Sequence, residues 1–312
     1  MKLIKDREGQ YPSQPDPYVL RVSDGRFYMY VTGVDGVHAF VSDRLFDGYE
    51  DIGVVFCAEG CKQYWAPSVI ELDGKYYMYV SFMRDAQDDV HLQTMHVAVS
   101  DKPEGPFSEL RKLIEPFSID SHVVKNESGL FIFYSVNDYE AERAGTYIVL
   151  DRLLDPFTVE GKPVAVVRPT LDEEIFMKNR FREGQHWHTL EGAFYFREGD
   201  YHYILYSGNC YETEYYYIGY AVAKTDETDL TKITFKKYPD ESTYRPLISA
   251  NDFESGTGHN SLVKENGEYF VIYHGRDNDE NWREMGECRT ARICRLKVDG
   301  EKLTAERFAD KV

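Results

Sequence analysis

The apolar positions of this chain fall into short runs with partial alternation, and almost none follows the spacing of an amphipathic helix. The runs come in sets. Five times a turn pair containing glycine opens an aromatic and β-branched segment: RFYMYVTG after Asp24-Gly25, KYYMYVSF after Asp73-Gly74, LFIFYSVN after Ser128-Gly129, DYHYILYSGN after Glu198-Gly199 and EYFVIYHGR after Asn266-Gly267. A shorter run precedes each turn (PYVLRVS, PSVIEL, HVVKN, AFYFR, NSLVKE), and another follows each aromatic segment (GVHAFVSD, MHVAVSD, GTYIVLD, YIGYAVAK, TARICRLKV). Glycine after an acidic or small polar residue supplies the positive φ of a tight hairpin. Each set therefore predicts a hairpin with a further strand.

The five turn glycines are 49, 55, 70 and 68 residues apart, so the later units carry insertions beyond a minimal blade of about 40–50 residues. Repeating antiparallel units of this kind predict an all-β, five-bladed β-propeller around a central channel, spanning 1–312 as one domain with no accessory β-sandwich. A tandem pair of sandwiches leaves the repeated register unexplained. That register also works as a ruler. Nine residues before the glycine stand Asp16, Trp65 and Asp120, and eight before it stand Glu191 and His259. In a propeller these five would ring one mouth of the channel.

With 36 basic against 54 acidic residues, a net charge of −18 and a pI near 4.9, the chain would be repelled by nucleic-acid phosphates and anionic membranes. The N-terminal segment shows no apolar core of signal-peptide length, and no run approaches the roughly 18 apolar residues of a membrane span. The expectation is a soluble, cytoplasmic protein. Cys57, Cys61, Cys210, Cys288 and Cys294 show no paired metal spacing and read as buried or incidental thiols.

Three carboxyl groups around one pocket shift one another's pKa, which is what glycosidic cleavage uses: one carboxylate acts on water while a protonated partner serves the leaving oxygen. At this point the motifs resemble glycoside hydrolase family 43: Asp16-Pro17-Tyr18, Trp65-Ala66-Pro67, Ile119-Asp120, Leu190-Glu191-Gly192 and Gly258-His259-Asn260-Ser261, in order, with Ala291 to Leu296 at the end. The resemblance implies a five-bladed propeller that hydrolyses arabinofuranosides or xylosides of plant cell-wall material with inversion. It implies Asp16 as general base, Glu191 as general acid, and Asp120 as the residue that orients that acid and modulates its pKa. Ser121 and Ala193 stand where the family often has proline, which bears on subfamily and substrate.

Trp65 offers a flat wall for sugar stacking. His259 occupies a position that related enzymes use near a central cation; calcium prefers oxygen ligands, so His259 would reach a structural calcium in the channel through water, and no cofactor is required. Among Arg276, Arg289 and Arg292, the last is favoured as the arginine that reaches a sugar hydroxyl beside the base. In the insertion from Leu171 to His188 and the tract from Cys210 to Tyr217, Trp187, His186, His188 and Tyr215 are candidates for distal sugar contacts. The expected function is an inverting exo-glycosidase trimming arabinofuranosyl or xylosyl units from small oligosaccharides. Two alternatives stay open: a propeller glycosidase or phosphorylase of another family, and a sugar-binding propeller without catalysis.

Overall fold

The computed structural model describes residues 1–4, 13–278 and 286–308; residues 5–12 of the N-terminal segment read above lie outside them. Blade I comprises β1 (Tyr18–Arg21), β2 (Phe27–Val31), β3 (Val37–Ser42) and β4 (Glu50–Phe56). Blade II comprises β5 (Cys61–Leu72), β6 (Lys75–Arg84), β7 (Thr94–Ser100) and β8 (Ser108–Ile114). In blade III, β9 (Ile119–Asn126), β10 (Gly129–Asp138) and β11 (Gly145–Asp155) are edged by β12 (Thr158–Val159) and β13 (Val164–Val167). The insertion then contributes β14 (Ile175–Met177), which pairs with the first strand of blade IV. That blade holds β15 (Trp187–Glu198), β16 (Tyr201–Gly208), β17 (Tyr217–Lys224) and β18 (Lys236–Lys237); blade V holds β19 (Glu254–Glu265), β20 (Glu268–Asp277), β21 (Thr290–Asp299) and β22 (Lys302–Arg307). Pairing within every blade is antiparallel in sequence order. The turn chemistry holds: Asp73-Gly74 and Asn266-Gly267 have positive φ at both residues (51° and 78°; 52° and 82°), the geometry that matches strand twist in a two-residue hairpin.

The inner strands touch in a closed cycle, β1 to β5 to β9 to β15 to β19 and back to β1, which makes the five blades a propeller; a short parallel pairing of β11 with β15 joins blades III and IV into one sheet. Each blade is packed between two others, and the apolar core divides accordingly. Separate clusters fill the seams I–II around Tyr30 and Met78, II–III around Tyr79 and Ile132, III–IV around Phe133 and Ile204, IV–V around Leu205 and Val271, and V–I around Met29 and Ile272. Burial on both faces explains why strands such as β2, buried throughout, show only partial alternation.

A polar bond also crosses each seam near the channel. Ala66 N donates to Thr32 Oγ1 (2.8 Å), Ser68 and Ser121 share a hydroxyl bond (2.9 Å), His122 Nε2 meets Tyr195 O (3.3 Å), His259 N donates to Ser207 Oγ (2.7 Å) and Val19 N donates to Ser261 Oγ (3.1 Å). The ring's ends are joined by backbone pairing of Met1 and Leu3 with Ile293 and Ala291 of β21, and of Gln14 with Arg289. All five cysteines are described, and none forms a disulfide. Among the described residues no helix is long and apolar enough to cross a membrane.

Candidate active site

Asp16 stands just before β1, and in the other four blades the pairing of the inner strand slips beside Trp65, Asp120, Glu191 and His259, once in blades III and IV and twice in blades II and V. Slippage of this kind is a β-bulge, which re-aims a side chain. Positive φ marks the same points: Asp16 (53°), Ala66 (44°), Asp120 (59°), Gly192 (64°) and His259 (48°). The backbone thus turns the same way in every blade at the channel mouth. One small pocket of about 80 Å³ results, lined by Asp16, Thr32, Trp65, Ile119, Asp120, Glu191, Tyr211, Tyr216, His259 and Arg289. All five residues located by the repeat are in it.

Asp16 is held by polar neighbours on several sides. Its Oδ1 lies 3.2 Å from Arg289 Nη1, 3.2 Å from His274 Nδ1 and 3.5 Å from His259 Nδ1, and its Oδ2 accepts from Thr32 Oγ1 at 2.6 Å. Burial would raise its pKa, but Arg289, His259 and His274 outweigh burial and hold it well below the usual carboxylate range. Both histidines are pushed toward the neutral form by burial, His274 to about 3. Arg289 stays charged through Asp16 and a fork to Glu287 (2.8 and 3.0 Å), and its guanidinium lies 4.3 Å over the ring of Tyr211.

Glu191 is in the opposite condition. Burial, with the negative charge of Asp16, pushes it up to about 7, against a hydrogen bond from Tyr216 Oη at 2.8 Å that favours its ionised form. Asp120 is raised well above the carboxylate range as well, first by burial and then by Glu191 and Asp16. Asp120 and Glu191 therefore titrate as an interacting pair, both raised, beside a third carboxyl that stays ionised. Such a set can take a proton at one point and give one at another.

Several expected contacts lie elsewhere. Arg292 is buried and bonded to Glu254 Oε2 (3.0 Å) and Asp277 Oδ1 (2.6 Å); Arg289 is the arginine beside Asp16. Arg276 donates to Tyr211 O at 2.6 Å, fastening the loop that carries Tyr211 and Tyr216. Trp187 is buried against Tyr139 and Phe181, with Arg180 4.8 Å over its ring. It belongs to the packing of the insertion, because it begins β15 four residues ahead of Glu191, about 13 Å up the strand. His188 is held by Ala144 O (3.1 Å), His186 accepts from Asn179 N (3.2 Å), and Tyr215 points to solvent. Sequence reasoning missed Thr32, Tyr211, Tyr216 and His274; the last stood in the quoted EYFVIYHGR without being singled out. Among the described residues no group of three or more His, Cys, Asp or Glu side chains is placed to hold a metal ion. His259 Nδ1 lies 3.5 Å from Asp16 Oδ1, and no step is routed through a metal.

The sequence model of "Glycosyl hydrolases family 43" matches residues 12–301. A xylosidase/arabinosidase of Bacteroides ovatus is 25% identical over 345 aligned positions, covering 94% of each chain. Xylosidase/arabinosidase 43A of Humicola insolens is 30% identical over 208 residues, a match to 54% of this chain and 62% of that relative's length. Among solved structures, a thermostable family-43 glycoside hydrolase superposes with a TM-score of 0.76 at 28% identity, covering 96% of this chain and 95% of the other. Agreement over nearly the whole propeller, in sequence and in backbone, establishes that the chain belongs to glycosyl hydrolases family 43 and is a glycoside hydrolase.

Proposed function

We propose that this chain is an inverting exo-glycosidase acting on terminal α-L-arabinofuranosyl or β-D-xylosyl units of plant cell-wall-derived oligosaccharides. The observation that carries the reading is the opposite ionisation of two carboxyl groups lining one pocket, Asp16 held ionised and Glu191 protonated to about pH 7. Asp16 takes a proton from water as the water oxygen bonds to the anomeric carbon. The glycosidic C–O bond breaks, and its oxygen leaves with the proton of Glu191. Asp120 orients Glu191 and modulates its pKa as the other member of an interacting pair, and Arg289 orients Asp16. Trp65 supplies the wall against which the sugar ring packs. The small volume favours a single terminal ring over a run of them, and the names of two relatives, both xylosidase/arabinosidases, support the choice of pentosides.

The test uses p-nitrophenyl α-L-arabinofuranoside and β-D-xyloside with the wild type, Asp16→Asn and Glu191→Gln. Each substitution is expected to lower kcat by about 10²–10⁴-fold. NMR of the first sugar released from the β-xyloside should show the α-anomer. Wild-type rates in both variants, or a β-anomer formed first, would overturn the reading.

A further inference from the structure

Tyr216 is fully buried behind the pocket, and its contacts join the two halves of the site. Its hydroxyl donates to Glu191 Oε1 at 2.8 Å. Its ring lies nearly parallel to that of His274, with centroids 5.6 Å apart and planes at 16°, and His274 Nδ1 accepts from Asp16 N at 3.1 Å. Blade V makes room for the ring by having glycine at 258: a Cβ there would stand 1.9 Å from Tyr216 Cε1. The loop from Asn209 to Tyr216 is fastened from both sides, by Asn209 Nδ2 to Glu173 O (3.0 Å) and by Arg276 Nη1 to Tyr211 O (2.6 Å).

We propose that Tyr216 is a positioning residue for the acid step, fixing the orientation of Glu191 and limiting how tightly it keeps its proton. The inference rests on Glu191 being the general acid. A hydroxyl that donates to a carboxyl oxygen stabilises the ionised form, so it opposes the burial that raises the proton affinity of Glu191. As the O–H bond of Glu191 breaks and the leaving oxygen takes the proton, negative charge grows on the carboxylate and the bond from Tyr216 strengthens. An interaction that is stronger in the transition state than in the ground state lowers the barrier. The other ionisable groups around Glu191 are Asp16 on blade I, Asp120 on blade III, His259 and Arg289 on blade V, and Cys210 and Tyr211 on the loop of Tyr216 itself. Tyr216→Phe removes one hydroxyl and substitutes none of them.

The experiment compares wild type, Tyr216→Phe and Glu191→Gln on two kinds of pentoside: a disaccharide, whose leaving alkoxide needs a proton, and a 2,4-dinitrophenyl glycoside, whose leaving group does not. For Tyr216→Phe the alkaline limb of kcat/KM on the disaccharide should move up by about one pH unit. Its kcat should fall about tenfold at unchanged KM, with the dinitrophenyl substrate nearly unaffected. Profiles that superimpose on the wild type, or a lowered melting temperature with no movement of the limb, would overturn the proposal. Glu191→Gln separates the two failures. If it leaves disaccharide cleavage intact, the acid assignment falls and the Tyr216 inference falls with it; if it abolishes disaccharide cleavage while Tyr216→Phe behaves as wild type, only the inference is lost.

Discussion

Asp16 owes its ionised state to its neighbours, above all to Arg289, and this sets the acid side of the pH profile. Loss of that cation leaves burial as the dominant influence, so, with Asp16 as the proposed base, Arg289→Met should move the acid limb of kcat/KM upward by more than about one pH unit; because Arg289 also lowers Glu191, though as the last of its influences, the alkaline limb should rise from about 7 by a smaller amount. Arg292→Met should behave differently. It removes one partner from Glu254, which keeps Arg307, and one from Asp277, which keeps Lys2, and should cost about 1.5–3 kcal/mol in denaturant unfolding, with neither limb displaced. The choice between these two arginines could not be read from the sequence, because residues three apart on a strand face opposite sides and the register against the channel is set by the neighbouring blades. The carboxylates were legible for the converse reason: each stands at a fixed distance from a turn glycine whose own chemistry is local.

The elements that carry the site are strands interrupted at equivalent points, and the interruptions follow from neighbouring side chains. Gly258 precedes the positive-φ residue His259 and faces the ring of Tyr216 at a distance no side chain tolerates. Gly258→Ala should therefore expel Tyr216 from its place, costing about 1–3 kcal/mol and lowering activity on disaccharides more than on activated aryl glycosides; thermal melting and the two-substrate comparison check both. The tract from Cys210 to Tyr217 shows what pattern alone leaves open. Of its tyrosines, 211 and 216 reach the pocket, 215 faces solvent and 217 enters the core between blades III and IV. That allocation depends on a loop that starts with Asn209 at φ 74° and is held by backbone acceptors on other elements. Nothing in the local spelling distinguishes the four.

At the scale of the molecule, the ring is held by five apolar seams and by the N-terminal residues clasping β21. Leu3 is 2% exposed within the V–I seam, and Leu3→Ala should cost about 2–5 kcal/mol, read as a melting temperature lowered by several degrees. Propeller class was legible because the hairpin phrase repeats. The partition of the core into seams was less so, since strands buried on both faces lose the alternation that would show which residues look toward which neighbour. Closure was not legible either: it depends on Met1 and Leu3 meeting Ala291 and Ile293 from the far end of the chain.

The crowding of Asp16, Asp120 and Glu191 sets activity against durability. A carboxyl group whose pKa is raised on folding binds a proton that the unfolded chain releases, so it destabilises the native state increasingly as pH climbs from about 4 toward the raised value. Asp120 is such a group. Asp120→Asn removes the penalty, and on the proposed role of Asp120 it removes activity too: the variant should match the wild type in unfolding free energy below about pH 4 and exceed it progressively above. Selection for a tougher molecule would press on this position, and only selection for turnover would keep the aspartate there.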